Sequence, residues 1–598
     1  MRIRRLLSPT TCLFFVFSFA AGGDTGNHGG VSISKTTGDD RYRPFLINNV
    51  FNYYGNNGDG SFNKFSALGE GFEFLKGSGK TGIFEDGVVW GGYHKGRTTP
   101  KVGGSVYRHG LQAGPIVQYG TASTDPVGDD PTNPSNRIYR IRPDINPGTP
   151  FASVQSIIAS EETAYISRYE GYTDQNIYDQ YISDWNQWPA AQGAPFVYGK
   201  DSNNVQRTSG PYDPRYDLPG RPGADQTLWY VANDCNASRA AFLAGSPVIG
   251  LEMQRTIWGY KRAGALGQTI FMSTLLINKS GAKIDTMFLA QWADPDLGDA
   301  GDDFVGCDTS RNLGYVYNGK ASDAMYGTAI PAVGFDIVQG PVVPGAPGDT
   351  AAFRSRKRAG YRNLPVSAFT FNLNVSALYV DPVQGAGGDV QWYRQMQGMN
   401  ASSGSQFIDP TTSLPTKFCL SGDPVTQTGW RDGTFGLTPQ DKRFTLAAGP
   451  FTMAAGDTQE LVVALTAGLG ADYISSIAVL RSNDDKVQSA YNSMTGVGPA
   501  LGIAIPGKGI PVTTELSQNY PNPFNPSTLI SYTLSQRSNV TLSVFNSLGQ
   551  EVATLVHEFQ DAGKHEIRFT ADGLASGIYF YRLTTGTAVA TRKLVLIR

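Results

Sequence analysis

The chain has 598 residues, enough for several cores at roughly 100 to 200 residues per domain, and its 49 basic and 51 acidic side chains nearly cancel, leaving a formal charge of −2. That balance lacks the basic footprint of a nucleic-acid binder and offers no pull toward an anionic membrane. Glycine (71) and proline (35) exceed their usual share, which favours a turn-rich, mainly β protein over a helical one.

In chain order, Arg2, Arg4 and Arg5 precede an apolar run from Cys12 to Ala21 that ends in small residues, the pattern of a secretory signal peptide over 1–22. The run is shorter than the roughly 20 apolar residues of a spanning helix, and no later window replaces it, so no transmembrane segment is expected in the mature chain. A polar stretch over 23–40 predicts a flexible N-terminus. Three cysteines then remain, Cys235, Cys307 and Cys419: one internal disulfide or three buried thiols.

A β-sandwich-rich body with a few helices is expected over 41–498, as one unit or as two subdomains, 41–224 and 225–498. Short strands are predicted over 45–54, 71–75, 82–93 and 101–107. Gly77-Ser-Gly-Lys-Thr81 superficially suggests a phosphate loop, but Phe74 stands where the first glycine is needed. Helix is expected within 150–193, where Tyr178, Tyr181, Trp185 and Trp188 form one stripe before Pro189. Such a stripe either packs on a sheet or stacks on sugar rings. Strands follow at 251–257, 268–278 and 283–292, the last two predicted to pair as an antiparallel hairpin about Lys279-Ser-Gly281.

The outgoing strand runs into the densest acidic patch. Asp294, Asp296, Asp299, Asp302, Asp303 and Asp308 lie within fifteen residues, interleaved with Gly298, Gly301 and Gly306. Carboxylates this close repel unless neutralised. Ca²⁺, which takes six to eight oxygens, would do so; aspartates that cap turns or pair with arginines are the other reading. The spacing is not that of an EF-hand. Beyond it, Arg354, Arg356, Lys357, Arg358 and Arg362 form a basic loop suited to solvent or to an acidic neighbour. A strand is expected over 366–379, loop over 384–433, strands over 444–453 and 458–467, a helix over 472–493 and a linker over 499–514.

From Glu515 onward, short alternating runs place Ile530, Tyr532 and Leu534 on one face, then Val540, Leu542 and Val544, then Ile567 and Phe569, then Tyr579, Tyr581 and Leu583. Glycine turns separate them, predicting a small antiparallel sandwich over 515–598. Asn519-Tyr-Pro-Asn-Pro-Phe-Asn-Pro526, Val544-Phe-Asn-Ser-Leu-Gly-Gln-Glu-Val-Ala-Thr-Leu555, Leu574-Ala-Ser-Gly-Ile-Tyr-Phe-Tyr-Arg-Leu583 and Lys593-Leu-Val-Leu-Ile597 closely resemble the C-terminal sorting domain of the type IX secretion system, an immunoglobulin-like module related to that of hook-capping proteins. The resemblance implies export to the cell surface or medium with the secretion machinery as partner, and it says nothing of the cargo's activity. Gln291-Trp-Ala-Asp-Pro-Asp-Leu-Gly298, Asp303-Phe-Val-Gly-Cys-Asp308 and Gly449-Pro-Phe-Thr-Met-Ala-Ala-Gly-Asp457 are similar to stretches of large secreted proteins with such a tail, and supply no catalytic residue.

No HExxH or GxSxG motif occurs, and of the five histidines only His94 and His109 lie in the glycine-rich strand regions of the body. The sequence therefore points to a non-enzymatic structural or adhesive surface protein stabilised by calcium, with possible self-association or glycan contact. A polysaccharide-binding or glycan-degrading enzyme working through paired carboxylates is the alternative.

Overall fold

The computed structural model describes residues 41–65, 71–121, 123–167, 171–373, 376, 378–494, 514–519, 521–534, 538–560, 563–586 and 588–597. The expected signal peptide, N-terminal segment and nearly all of the linker lie outside them.

The protein is mainly β. In the body, a nine-stranded antiparallel sheet runs in the spatial order Tyr139–Ile141, Gln226–Asn233, Leu251–Gly259, Thr269–Asn278, Thr458–Gly468, Ala332–Gln339, Leu313–Asn318 and Asp303–Asp308, with Gln112–Ala113 also on Gln226–Asn233. A five-stranded sheet orders Ala368–Leu373, Lys442–Met453, Ile284–Asp294, Glu85–His94 and Lys101–Gly104. Tyr230, Met253, Met272 and Val463 of the first share one continuous core with Trp90, Leu289, Leu446 and Met453 of the second. Both sheets draw strands from either side of residue 224, so the optional division into 41–224 and 225–498 does not describe this body.

Helices cover the outward faces. Tyr473–Met494 lays Ile477 and Leu480 against Tyr315, and Val487 and Tyr491 against Trp258 and Phe271. Gly388–Met396, inside the stretch expected to be loop, packs Trp392, Tyr393 and Met396 over Val89, Phe288 and Trp292. Its apolar positions span less than two turns amid glycines, too brief a period to stand out. Strands covered on both faces are buried along their whole length, as Leu251–Gly259 and Ala332–Gln339 are, so alternation is muted there.

The predicted hairpin is corrected. Thr269–Asn278 and Ile284–Asp294 are consecutive but do not pair: the first lies between Leu251–Gly259 and Thr458–Gly468, the second between Glu85–His94 and Lys442–Met453. The turn carries the chain from one sheet to the other. Lys442–Met453 and Thr458–Gly468 cross in the same way nearby. Period-2 patterning assigns faces but not partners, so a short turn between two strands fits either arrangement. At the crossing Gly281 has φ of 73°, and a Cβ there would strike the Gly120 carbonyl.

Asn278 ties the two crossings together. Fully buried, it donates from Nδ2 to the carbonyls of Ala282 (2.8 Å), Met453 (3.2 Å) and Ala454 (2.9 Å), while its backbone exchanges bonds with Asp457 and Gly456. Its Oδ1 accepts from the Ser280 amide and hydroxyl.

The terminal sandwich has the expected form. Glu515–Leu516, Ser527–Leu534 and Gly563–Thr570 make one sheet; Glu551–Gln560, Ser538–Phe545, Gly577–Thr584 and Val589–Leu596 make the other. Ile530, Tyr532, Leu534, Val540, Leu542, Val544, Phe569, Tyr579, Tyr581 and Leu583 form its core, and Ile567 packs at its margin. Tyr581 locks the proline-rich entry by donating from its hydroxyl to the Ser517 carbonyl (2.6 Å) and accepting from the Asn519 amide (2.8 Å).

Between the nine-stranded sheet and the helix above it, Asp336 and Asp484 face each other, 0% and 1% exposed. Burial first, and then the Asp484 carboxyl, push the Asp336 pKa well above its usual value, and Asp484 also moves up, chiefly through burial. Two such groups hold a shared proton. Arg311 and Arg481 stand on the same side but are engaged by Asp308, Asp423 and Asp485.

Two outcomes follow. Asn278→Leu leaves the buried Met453 carbonyl and the partly buried Ala282 and Ala454 carbonyls without this donor and costs roughly 2–4 kcal/mol in urea unfolding. Asp484→Asn raises Tm at pH 8. Because the raised pKa makes the wild type lose stability as pH climbs from about 4 toward 7, that gain shrinks on acidification and is gone below about pH 4.

Candidate functional site

The six aspartates of the acidic patch do not converge on one point. Asp299 accepts from the Gly301 amide (2.9 Å) and caps a short turn. Asp302 lies 3.6 Å from Lys320 Nζ. Asp303, fully buried, accepts from the Leu297 amide (2.9 Å), and burial pushes its pKa well up. Asp308 sits against Arg311 (3.0 Å) and Arg481 (3.1 Å); burial alone would raise its pKa, but the Ser310 hydroxyl and these guanidiniums hold it below the usual range. Asp299 thus caps a turn and Asp308 pairs with arginines, whereas Asp302 lies beside a lysine and Asp303 is buried on a main-chain amide.

Asp294 and Asp296 come together with a residue the sequence did not single out. One carboxylate oxygen from each of Asp294, Asp296 and Asp441 lies within 4.8 Å of the others. The strand ends explain this: Asp294 closes Ile284–Asp294, and Asp441 immediately precedes its neighbour, Lys442–Met453. Separated by almost 150 positions, the pair is joined only by the ladder. The nearest sequence signal was Asp441-Lys-Arg443, a charged start to an apolar strand.

Arg443 stands amid this group. Its guanidinium is 3.0 Å from Asp294 Oδ1, 3.0 Å from Asp441 Oδ2 and 3.6 Å from Asp381 Oδ2, and its Nε donates to the Tyr107 hydroxyl (3.0 Å). Tyr107 in turn donates to Asp294 Oδ2 (2.7 Å) and packs edge-on against Trp292. Asp294 is 3% exposed, and burial outweighs the arginine, pushing its pKa up to about 7. Directly across the ladder is Glu85, fully buried, whose nearest cation is Arg108 Nε at 3.9 Å. Burial and then the Asp59 carboxylate drive its pKa well up. Like charges opposite each other in a sheet destabilise it. The region therefore carries more carboxylates than cations.

The aromatic stripe turns inward. Thr173 and Asn176 close a capping box at the start of Asp174–Asn186. Tyr181 packs with Phe51 and Tyr53, and Trp185 and Trp188 with Tyr139 and Trp229, each under 7% exposed. Their polar ends are satisfied internally, Trp188 Nε1 on the Pro195 carbonyl (2.8 Å) and Tyr181 on Glu162 (2.6 Å). His94 is buried, and burial with Lys101 lowers its pKa to about 4; His109 packs at a tilt against Phe242. A cleft of about 30 Å³ lies elsewhere, among Arg221, Trp229, Gln254, Arg354 and Glu460, room for one or two waters. The basic loop forms a hairpin, Thr350–Phe353 with Arg356–Ala359, exposed along 357–359 and half-buried at Arg354, in which Arg358 lies over Tyr361. No helix among the described residues is long and apolar enough to cross a membrane.

A search of curated proteins finds no match. Among solved structures, a polysaccharide lyase is 9% identical over 70% of this chain and 42% of its own, with a TM-score of 0.19; the chain thus spans less than half of that protein. Latent PorU of Porphyromonas gingivalis is 10% identical over 62% of this chain and 31% of its own, with a TM-score of 0.13. PorZ, a surface component of the type IX secretion system of the same organism, is 10% identical over 67% and 46%, with a TM-score of 0.12. Likenesses of that size carry no argument for the body. The tail is different: residues 518–597 match the family of the secretion system C-terminal sorting domain. That match covers the terminal sandwich from its proline-rich entry to its last strand, all but the short strand Glu515–Leu516, so the chain carries a type IX sorting domain, the mark of a protein sent to the cell surface or beyond.

Proposed function

We propose that the body is a non-enzymatic surface component with a structural or adhesive role, stabilised by calcium, that enters the export route through its N-terminal signal peptide and leaves through its sorting domain. The destination rests on the match over residues 518–597. The calcium reading rests on one observation: carboxylate oxygens of Asp294, Asp296 and Asp441 lie within 4.8 Å of one another, beside a single guanidinium, that of Arg443, which Asp294, Asp381 and Asp441 share. Asp294, Asp296 and Asp441 would hold the ion. They offer hard oxygen donors with no nitrogen or sulfur among them, a set suited to Ca²⁺ rather than zinc, with main-chain carbonyls or water completing six to eight positions. Calcium would supply positive charge where buried carboxylates outnumber arginines, and so tie the two strand ends. In support of a structural role, Tyr181, Trp185 and Trp188 of the aromatic stripe are packed inside.

Calcium ligands must be ionised, and Asp294 reaches that state only near pH 7. Without divalent ions, Tm falls as pH rises from about 4 to 7, since the raised carboxyls keep protons that the unfolded chain releases. Low-millimolar Ca²⁺ then raises Tm by several degrees at pH 8 and much less at pH 5, and Asp441→Asn removes the rise. No rise at pH 8 takes calcium out of the reading. Deleting residues 515–598 leaves the body in the cell, whereas equal amounts of truncated and full-length product in the medium would contradict the assigned route. Release of oligosaccharides from a polysaccharide panel by the exported protein would replace the structural role with the enzymatic one.

A further inference from the structure

The three cysteines Cys235, Cys307 and Cys419 are unlike in their surroundings. Cys235 is half-buried just beyond Gln226–Asn233, with Asp234 and Glu252 nearby. Cys307 and Cys419 lie in one core, 2% and 0% exposed. Cys307 belongs to Asp303–Asp308, the edge strand of the nine-stranded sheet, and the chain about Cys419 covers that edge. The Cys307 amide donates to the Leu420 carbonyl (3.2 Å), and the Val305 amide to Asp432 Oδ2 (2.9 Å). Cys307 Sγ itself lies 3.4 Å from the Cys419 carbonyl oxygen.

We propose that Cys307 and Cys419 are joined by a disulfide in the exported protein, leaving Cys235 as a thiol. Both are thiols in the structure. The single main-chain bond from Cys307 to Leu420 and the 3.4 Å approach of the Cys307 sulfur to the Cys419 carbonyl bring the two residues into contact, and a disulfide bridges Cα atoms roughly 4.4–6.8 Å apart. Forming the bond takes the Cys307 sulfur from the Cys419 carbonyl to the Cys419 sulfur. Export takes the chain through an oxidising compartment. The oxidant is a disulfide donor of the thiol-oxidase class. One cysteine thiolate attacks the donor disulfide, releasing one donor sulfur as a thiol, and the second thiolate displaces the other from the mixed disulfide. The protein loses two electrons and two protons, and the donor gains both. Burial pushes both thiols well up, so exchange precedes closure of the core. The bond links positions 112 residues apart and fastens the covering segment to an edge that would otherwise present unpaired backbone groups.

The test is a thiol map of full-length protein recovered from exporting cells, denatured in iodoacetamide without reductant and digested. The expected result is alkylated Cys235, a linked peptide pair carrying Cys307 and Cys419, separation of that pair by dithiothreitol, and the same link in Cys235→Ser. Alkylation of both Cys307 and Cys419, or a bond from either to Cys235, overturns the proposal.

Discussion

Asn278 is the point on which the body's architecture turns. Its side chain spans two sheet crossings that are distant in sequence, and each strand it serves lies inside a sheet rather than at a rim. A buried amide is costly unless its hydrogen-bonding capacity is used, and here it is used on both sides. The two sheets therefore meet in one register. Backbone groups at sheet corners face this requirement generally: where strands part, carbonyls lose ladder partners, and a side chain must replace them.

The second constraint is charge. The body buries Asp59, Glu85, Asp86 and Asp294 where strands converge, and burial raises the pKa of each. Arrays of this kind add little to stability by themselves, since desolvation consumes the Coulombic gain. They do select among strand registers. Sliding Ile284–Asp294 by one position would exchange the faces of Asp294 and Ala293, stranding a carboxylate away from Tyr107 and Arg443.

Legibility in the sequence followed burial. The terminal module has one face toward its core and one toward solvent, so Ile530, Tyr532 and Leu534 announced themselves by alternation. In the body, helices lie on the outer faces and the alternation is blurred: Gln226–Asn233 is buried throughout and was not recognised as a strand. The partners of Thr269–Asn278 and Ile284–Asp294 were unreadable because turn length does not choose between pairing and crossing. Asp294 and Asp296 were legible as carboxylates close together in sequence. Asp441 was not, because its proximity depends on a ladder between distant strands, and the four remaining aspartates were grouped by sequence rather than by space.

Strand order also bears on timing. Thr458–Gly468 is an interior strand between Thr269–Asn278 and Ala332–Gln339, and Lys442–Met453 is its counterpart in the smaller sheet. Neither layer can be completed until the last part of the cargo has been delivered. Long-range closure of this sort is slow, and a chain synthesised from its N-terminus holds both layers open until residues 442–468 are present. The address then follows soon after the two strands that let the cargo close.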